Sequence, residues 1–451
     1  MYNKSLFIFR RSFRLEDNTG LIEALKNSKE VIPIFIFTPE QVTNNKYKSN
    51  NAIQFMIESL RELDKELKKK KSQLNYFYDE IDILDKIIKK ENIDAIFLNM
   101  DYTKYSTDRD KKILKICNKN KIKLEIFEDI LLLDIGSVKT NNKPYQKFTP
   151  YFNKAKLLKV KKVQNNNNNK YYNKTISDFK NIDKFYKKNN NISVRGGRSN
   201  ALKILKTLKE FKNYNIDRND LSLQTTKLSA YIKFGCISIR EIYHNLKKVL
   251  PNSNQLFTQL HWRDFYYNIA YFYPHIFKGA MKEKYNNLKW GNNTTYFNKW
   301  KKGETGCPIV DAGMREMNET GYMHNRARLI TSNFLIKLLL IDWRKGEQYY
   351  ATQLVDYDPS VNNGNWQWGA GSGADSQPYF RIFNPWLQSK KFDNDCEYIK
   401  SWIPELKDVD NKDIHNWETK HHEYSVDYPK PIIYYKKQKE KSIAMYKILF
   451  K

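Results

Sequence analysis

The chain has 451 residues, enough for two or three domains whose cores need no disulfide or metal staple. Its 79 Lys and Arg against 50 Asp and Glu give a formal net charge of +29, which suits a polyanion such as nucleic acid better than an acidic small molecule. A Lys- and Asn-rich composition produces the same excess by itself, so charge supports nucleic acid without deciding for it.

Cys117, Cys236, Cys307 and Cys396 lie far apart with no C-x-x-C pair, which points away from a disulfide framework or a zinc site and fits a reducing compartment. The opening run Ser5–Phe9 is too short for a signal-peptide core and runs straight into Arg10 and Arg11. No stretch approaches the ~18 consecutive apolar residues of a membrane span. The expectation is an intracellular protein, cytoplasmic or nuclear, without a membrane partner.

From the start to residue 130, short apolar runs alternate with longer periodic segments. The runs are Leu6–Phe9, Val31–Phe37, Leu74–Tyr78, Ala95–Asn99 and Leu124–Phe127, and Ala52–Leu67 shows apolar residues three or four apart. This alternation predicts a Rossmann-like α/β domain over 1–130, with a mostly parallel sheet. No G-x-G-x-x-G follows the first run, so the sheet by itself identifies no ligand. Residues 131–200 read as a Lys- and Asn-rich connector with the tract Asn165–Asn169, too polar to order itself and so expected to be partly mobile.

Helical periodicity dominates 201–430, as in Ala201–Phe211, Ile237–Val249 and Ala327–Leu340, so an all-α domain is expected there, followed by a basic tail over 431–451. No internal repeat is present. All nine Trp lie at or beyond position 262. Whatever needs indoles therefore belongs to the C-terminal half.

The stretch from Asp356 to Trp368 packs two carboxylates, adjacent amides and two indoles into thirteen positions. Such groups supply the donors, acceptors and flat oxidisable rings that a flavin needs, although a capped helix with buried Trp would use the same residues. Upstream, Arg326 and Arg328 flank the start of an apolar helix. A guanidinium fork can hold a phosphate or a carboxylate, and Asp356 or Asp358 is the candidate partner of Arg328. His324 has no neighbours that complete a metal set, so no metal is assigned.

Five segments, Gly306–Arg315, Met323–Arg328, Asp342–Arg344, Asn362–Trp368 and Tyr379–Pro385, resemble in order the signature of the photolyase/cryptochrome family. The similarity is dense over 214–406 and weaker at Phe9–Asn18. Within the family the chain looks like a class I cyclobutane pyrimidine dimer photolyase. The resemblance implies FAD held by Tyr214, Thr225, Thr226, Lys227, Leu228, Ser229, Arg328, Asp356, Asp358 and Asn362, with Asn362 near the flavin N5. Small hydroxyls and backbone N–H groups at 225–229 suit a diphosphate, although taken alone the cluster reads first as a helix cap.

Trp366, Trp343 and Trp290 match the family's three-tryptophan electron-transfer chain. Trp262 and Trp368 match the aromatic pair that sandwiches a flipped-out dimer, since chemistry on a base requires taking it from the stack. Arg326, Arg381, Arg218 and Gln388 match positions touching the lesion strand, and Arg263, beside Trp262, is grouped with them. Gln259 and Asn325 fall at pocket positions of the reaction.

The family's (6-4) photolyases carry His at the positions of Asn325 and Leu329, so this chain lacks their proton donor and a cyclobutane dimer is the expected substrate. Two departures keep the (6-4) alternative open: Gln259 stands where dimer-repair members usually have Glu, and Leu329 where they usually have Met. Asn362, rather than Asp, and the short tail favour repair over a cryptochrome-type blue-light receptor. A non-catalytic basic DNA-binding protein would explain stacking aromatics but not the Asn362, Asp358 and Arg328 set. Tyr102–Asp110 runs over the family's antenna site, with Ser106 where folate-binding members tend to have Glu, so a second chromophore could be a folate, a deazaflavin, a flavin or absent. The protein is expected to act as a monomer on DNA containing pyrimidine dimers.

Overall fold

In a computed structural model that describes residues 1–141 and 143–450, the five apolar runs form strands. They are β1 (Tyr2–Ile8), β2 (Ser28–Phe37), β3 (Asn75–Tyr78), β4 (Ala95–Asn99) and β5 (Lys123–Phe127). All pair in parallel in the order β3-β2-β1-β4-β5. Leu6 lies level with Ile32 on one side and Ile96 on the other, and these residues pack on Leu84, Ile87, Ile88, Ile113 and Ile116 of the crossover helices. Alternate positions carry Phe7, Phe9, Phe35 and Phe37, also buried. Burial on both faces is why these strands read as continuous apolar runs.

The order reverses between β1 and β4, which makes the carboxyl ends of those two strands the switch point of the sheet. There Arg10 makes a bidentate pair with Asp110 at 2.5 and 3.1 Å, and Arg11 meets Asp101 at 3.3 Å. Ser106 Oγ donates to Asp101 at 2.9 Å.

The chain packs as two compact units. The first takes Met1–Lys188, Val194–Lys212 and Thr226–Pro274, so the helices Ser229–Phe234, Ile239–Val249 and Gln255–Phe272, all beyond the connector, belong with the sheet. The second takes Asn189–Ser193, Asn213–Thr225 and His275–Lys451 and is helical, with the helix Tyr435–Lys447 spanning much of the basic tail. Among the described residues no helix is long and apolar enough to cross a membrane.

The connector differs from its expected mobility. Phe148–Ala155 is a helix, and Tyr171 bridges to Val31 of β2, with Val31 N donating to Lys170 O and Tyr172 N to Val31 O at 2.9 and 2.8 Å. Asn166 is buried and donates to Leu15 O and Tyr171 OH, both at 3.0 Å. The polar tract is ordered by sheet-edge and amide hydrogen bonds rather than by apolar burial, which composition cannot report.

A buried charge network joins the loop after β1 to the rest of the first unit. Asp129, just beyond β5, accepts from Arg14 at 2.6 Å and from Arg240 at 2.8 Å, while Arg240 Nε also reaches Asp17 at 3.0 Å. Burial alone would raise the Asp129 carboxyl, but the two guanidiniums hold it well below the usual carboxylate range. Its contribution to stability is therefore complete above the ordinary carboxylate pKa and is lost as pH falls through the depressed value. Asp129→Ala leaves two buried cations short of a counter-charge and is expected to cost ~3–5 kcal/mol in urea unfolding; a loss below about 1 kcal/mol, typical of a surface pair, would show the network to be dispensable.

Candidate cofactor and nucleic-acid site

In the second unit the helix Asn325–Asn333 starts from His324, whose Nδ1 accepts from Arg326 N at 3.1 Å. Burial first, then Arg328 and Arg326, lower the His324 pKa to about 4, so the imidazole is neutral and serves as a cap. Arg328 donates to Met323 O at 2.8 Å and pairs with Asp356 at 3.0 Å, so of the two candidate carboxylates Asp356 is its partner. Asp358 instead caps the helix Pro359–Ala370, accepting from Ser360 N and Val361 N at 3.1 and 3.3 Å.

Arg326 donates to Asn219 Oδ1 at 2.5 Å and lies 4.1 Å over the Phe392 ring. Its Nε, like that of Arg218, is buried without a hydrogen-bond partner among the described residues. Burial and then the charge of Arg218 lower the Arg326 pKa. Two mutually repelling guanidiniums with spare donors are an arrangement that a bound anion would relieve. Arg381 is exposed, Gln388 is half-buried, and Asn325 stands exposed in the first turn of its helix.

On the helix Pro359–Ala370 the amides divide by face. Asn363 and Gln367 donate to Ile276 O at 3.1 and 3.2 Å and are structural. Asn362 Nδ2 donates to Glu347 Oε1 at 2.9 Å, with Glu347 O at 3.4 Å. Two acceptors on one side oblige the amide nitrogen to face Glu347, which turns the carbonyl oxygen away from it. Trp368, two residues past Trp366, is half-buried.

Trp366 and Trp343 are 2% and 5% exposed, Trp290 is half-buried, and all three pack in one apolar cluster. Trp366 meets Tyr350 edge-on at 4.9 Å. The helix Trp343–Gln353 comes this close because position 346 is glycine: a Cβ there would lie 2.3 Å from both Leu335 Cδ2 and the Trp366 ring. Trp290 borders Tyr446 at 6.3 Å.

Thr225 shares a hydrogen bond of 3.1 Å with Tyr322 OH in the second unit, where Tyr214 is half-buried. In the first unit Thr226 Oγ1 accepts from Leu228 N at 3.4 Å and Lys227 holds a left-handed φ of 50°. Strain at a non-glycine residue is a frequent mark of a working turn. Leu228 is buried and Ser229 is exposed at the head of the helix Ser229–Phe234.

The helix Gln255–Phe272 of the first unit presents half-buried Gln259 and Trp262. Asp264 accepts from Leu132 N and Leu133 N at 2.9 and 3.0 Å. Arg263 joins the same clip, donating to Ile130 O at 2.7 Å and stacking 4.6 Å from the Tyr267 ring. Two residues escaped sequence reasoning: Glu347, which lies in an ordinary amphipathic pattern, and Phe148, which lies in the connector.

Solved structures share this architecture. A photolyase from Sulfolobus tokodaii, described with two FAD molecules, is 41% identical, covers 99% of this chain and 100% of its own, and superposes with a TM-score of 0.89. A cryptochrome from Synechocystis is 25% identical, with coverage of 98% and 99% and a TM-score of 0.88. A parallel α/β unit with a helical flavin-binding unit thus defines the class, that of the photolyase and cryptochrome flavoproteins. The family described as DNA photolyase matches residues 5–167, and the FAD binding domain of DNA photolyase matches residues 256–448. A deoxyribodipyrimidine photo-lyase of Buchnera aphidicola is 38% identical over 99% of this chain and 98% of its own; that of Escherichia coli is 31% identical over 97% of each. The chain belongs to the DNA photolyase family, with FAD as its cofactor.

Burial raises the Glu347 pKa from 4.5 to about 7, against the hydrogen bonds from Asn362 and Tyr357. Between those values the folded chain holds a proton that the unfolded chain has lost, so stability falls as pH rises through that window. Glu347→Gln removes this titration. Its stability relative to wild type is expected to climb by about 2–3 kcal/mol from about pH 5 to about pH 8 in paired unfolding curves; a pH-independent difference would mean that Glu347 is not the buried acid.

Proposed function

We propose that the protein repairs cyclobutane pyrimidine dimers in DNA, driven by light, with Arg328, Asp356, Asp358, Asn362, Tyr214 and the 225–229 segment holding FAD. The observation that carries this reading is Asn362, its amide nitrogen tied to Glu347 and its carbonyl oxygen left for a donor, one helical turn before buried Trp366. The donor set fits the cofactor: a paired guanidinium, small hydroxyls and a fixed amide suit a diphosphate and a ring edge. When bound and reduced, FAD would supply an electron donor that light can excite.

The chain's own residues bind, orient and insulate. Trp262 and Trp368 offer ring faces to an extruded dimer, whose poor pairing lowers the cost of leaving the stack. Arg326 and Arg218 take the flanking phosphates through their guanidinium groups, whose mutual repulsion a bound anion would relieve. Trp290, Trp343 and Trp366 carry electrons inward from the half-buried indole to the most buried one. Neither Asn325 nor Leu329 can donate a proton from an imidazole, which favours the cyclobutane product over the (6-4) product as substrate. Gln259 can donate a hydrogen bond to the dimer where a carboxyl group would otherwise serve. A second, light-gathering chromophore is assigned to the switch point between β1 and β4, where Arg10, Arg11, Asp101 and Ser106 gather.

The test is illumination of the FAD-loaded, reduced protein with oligonucleotides carrying either lesion, at one stated salt concentration. Restoration of the cyclobutane dimer alone is expected, and restoration of the (6-4) product alone would overturn the substrate assignment. In a second measurement, Trp366→Phe should abolish photoreduction of the oxidised cofactor while chemically reduced enzyme keeps most of its repair activity; equal loss of both would remove Trp366 from the electron path.

A further inference from the structure

The Phe148 ring lies on the indole of Trp262 with centroids 3.6 Å apart and planes 7° from parallel. Isolated aromatic pairs prefer an offset or edge-on arrangement, so the surroundings impose this full overlap. Phe148 is 6% exposed, heads the helix Phe148–Ala155, stacks on Phe152 at 5.6 Å, and meets Phe265 edge-on at 5.7 Å. Tyr151 of the same helix also packs edge-on against Phe265, at 5.4 Å. The other rings touching Trp262 do not overlap it in this way: Phe265 stands at 86° and Tyr266 is tilted by 29°, both with centroids at 5.7 Å.

Trp262 is nonetheless half-buried and not enclosed. A ring face covered at 3.6 Å cannot accept a base, so any nucleobase that stacks on Trp262 must do so away from Phe148. We propose that Phe148 is a positioning residue for the lesion: it closes one face of Trp262 and holds the indole plane in place, so that the uncovered side meets the extruded pyrimidine dimer. This rests on the reading of Trp262 as a lesion platform and adds to it a residue from the polar connector. An indole held in advance loses little freedom on binding, which is how preorganisation becomes affinity. The effect is confined to recognition, because every ring contact named for Phe148 is to another side chain of this packed cluster.

The experiment is a fluorescence-anisotropy titration of the full-length, FAD-loaded protein with an oligonucleotide bearing one cyclobutane thymine dimer and with its undamaged counterpart. Phe148→Leu is expected to weaken lesion binding about tenfold, the upper end of what one aromatic pair is worth, while affinity for undamaged DNA, FAD content and flavin photoreduction stay at wild-type levels. Phe148→Met, which fills similar volume without a ring face, should give the same loss should the leucine variant fold poorly, and Phe148→Trp should restore binding. In a Trp262→Leu background Phe148→Leu should add nothing, because the ring it positions is gone. If Trp262→Leu weakens lesion binding and neither Phe148→Leu nor Phe148→Met does, or if the double variant is additive, the positioning role is wrong and the platform stands. If Trp262→Leu itself leaves lesion binding intact, the platform reading fails and takes the positioning role with it.

Discussion

Asp129 sits between Arg14 and Arg240 with its carboxylate fully buried, and much of the first unit is arranged around that contact. Charges removed from water must be paired and fully hydrogen-bonded, or they unfold the structure that holds them. Arg14 brings the loop after β1, Arg240 brings the helix Ile239–Val249, and Thr19 donates to Asp129 from the first crossover helix at 2.9 and 3.0 Å. The helix Ile239–Val249 begins with a capping box, Ser238 with Glu241, and Glu241 in turn binds Arg198 at 2.6 Å. A sheet held by apolar burial tolerates small slips, whereas four charged groups in one network admit a single register. Within the loop from Phe9 to Asn18, Arg14 and Asp17 are the charged members of this network.

The interior of the helical unit shows a consistent bias in charge. His324 falls to about 4, Lys337 falls to about 7 and Glu347 rises to about 7, each chiefly through burial. Three kinds of side chain are thus pushed towards neutrality near physiological pH, while Arg326 and Arg328 have pKa values too high to be discharged. Positive charge inside this unit is therefore carried by guanidiniums, whose planar forks fit phosphate and carboxylate oxygens. An anion entering such an environment meets fixed donors in a low dielectric, where each is worth more than at the surface.

The five strands were legible because burial on both faces leaves unbroken apolar runs, and the helices because their buried faces repeat every three or four residues. The Arg328 ion pair was half legible, since chemistry named two carboxylates and only the fold could choose Asp356. Glu347 was not legible. A glutamate one turn after Trp343 looks like any solvent-facing helix residue until the neighbouring helix closes on it across Gly346. Phe148 was hidden for a different reason: it is separated from Trp262 by more than a hundred positions and sits in a stretch whose composition suggests mobility. Local patterns report which face of an element is apolar, and long-range pairings report themselves only in three dimensions.

The net charge of +29 and the aromatic groups divide the work of recognition. Affinity from lysine and arginine against phosphate is indifferent to sequence and damage, and it decays steeply as salt displaces the released counterions. Stacking on an indole depends little on salt, and it requires a base to have left the helix, which a distorted pyrimidine pair does at lower cost than an intact one. A strongly basic surface therefore concentrates the protein on DNA without telling it where to stop. On the proposed reading, discrimination comes from the uncharged surfaces of Trp262 and Trp368 and from how rigidly they are held. Rigidity at Trp262 is supplied by packing that leads from the Phe148 helix through Phe265 to the Asp264 clip on Leu132 and Leu133. If Trp262 is the lesion platform proposed above, the cohesion of the first unit and the selectivity of that platform are one property, set by how little the helix Gln255–Phe272 is free to move.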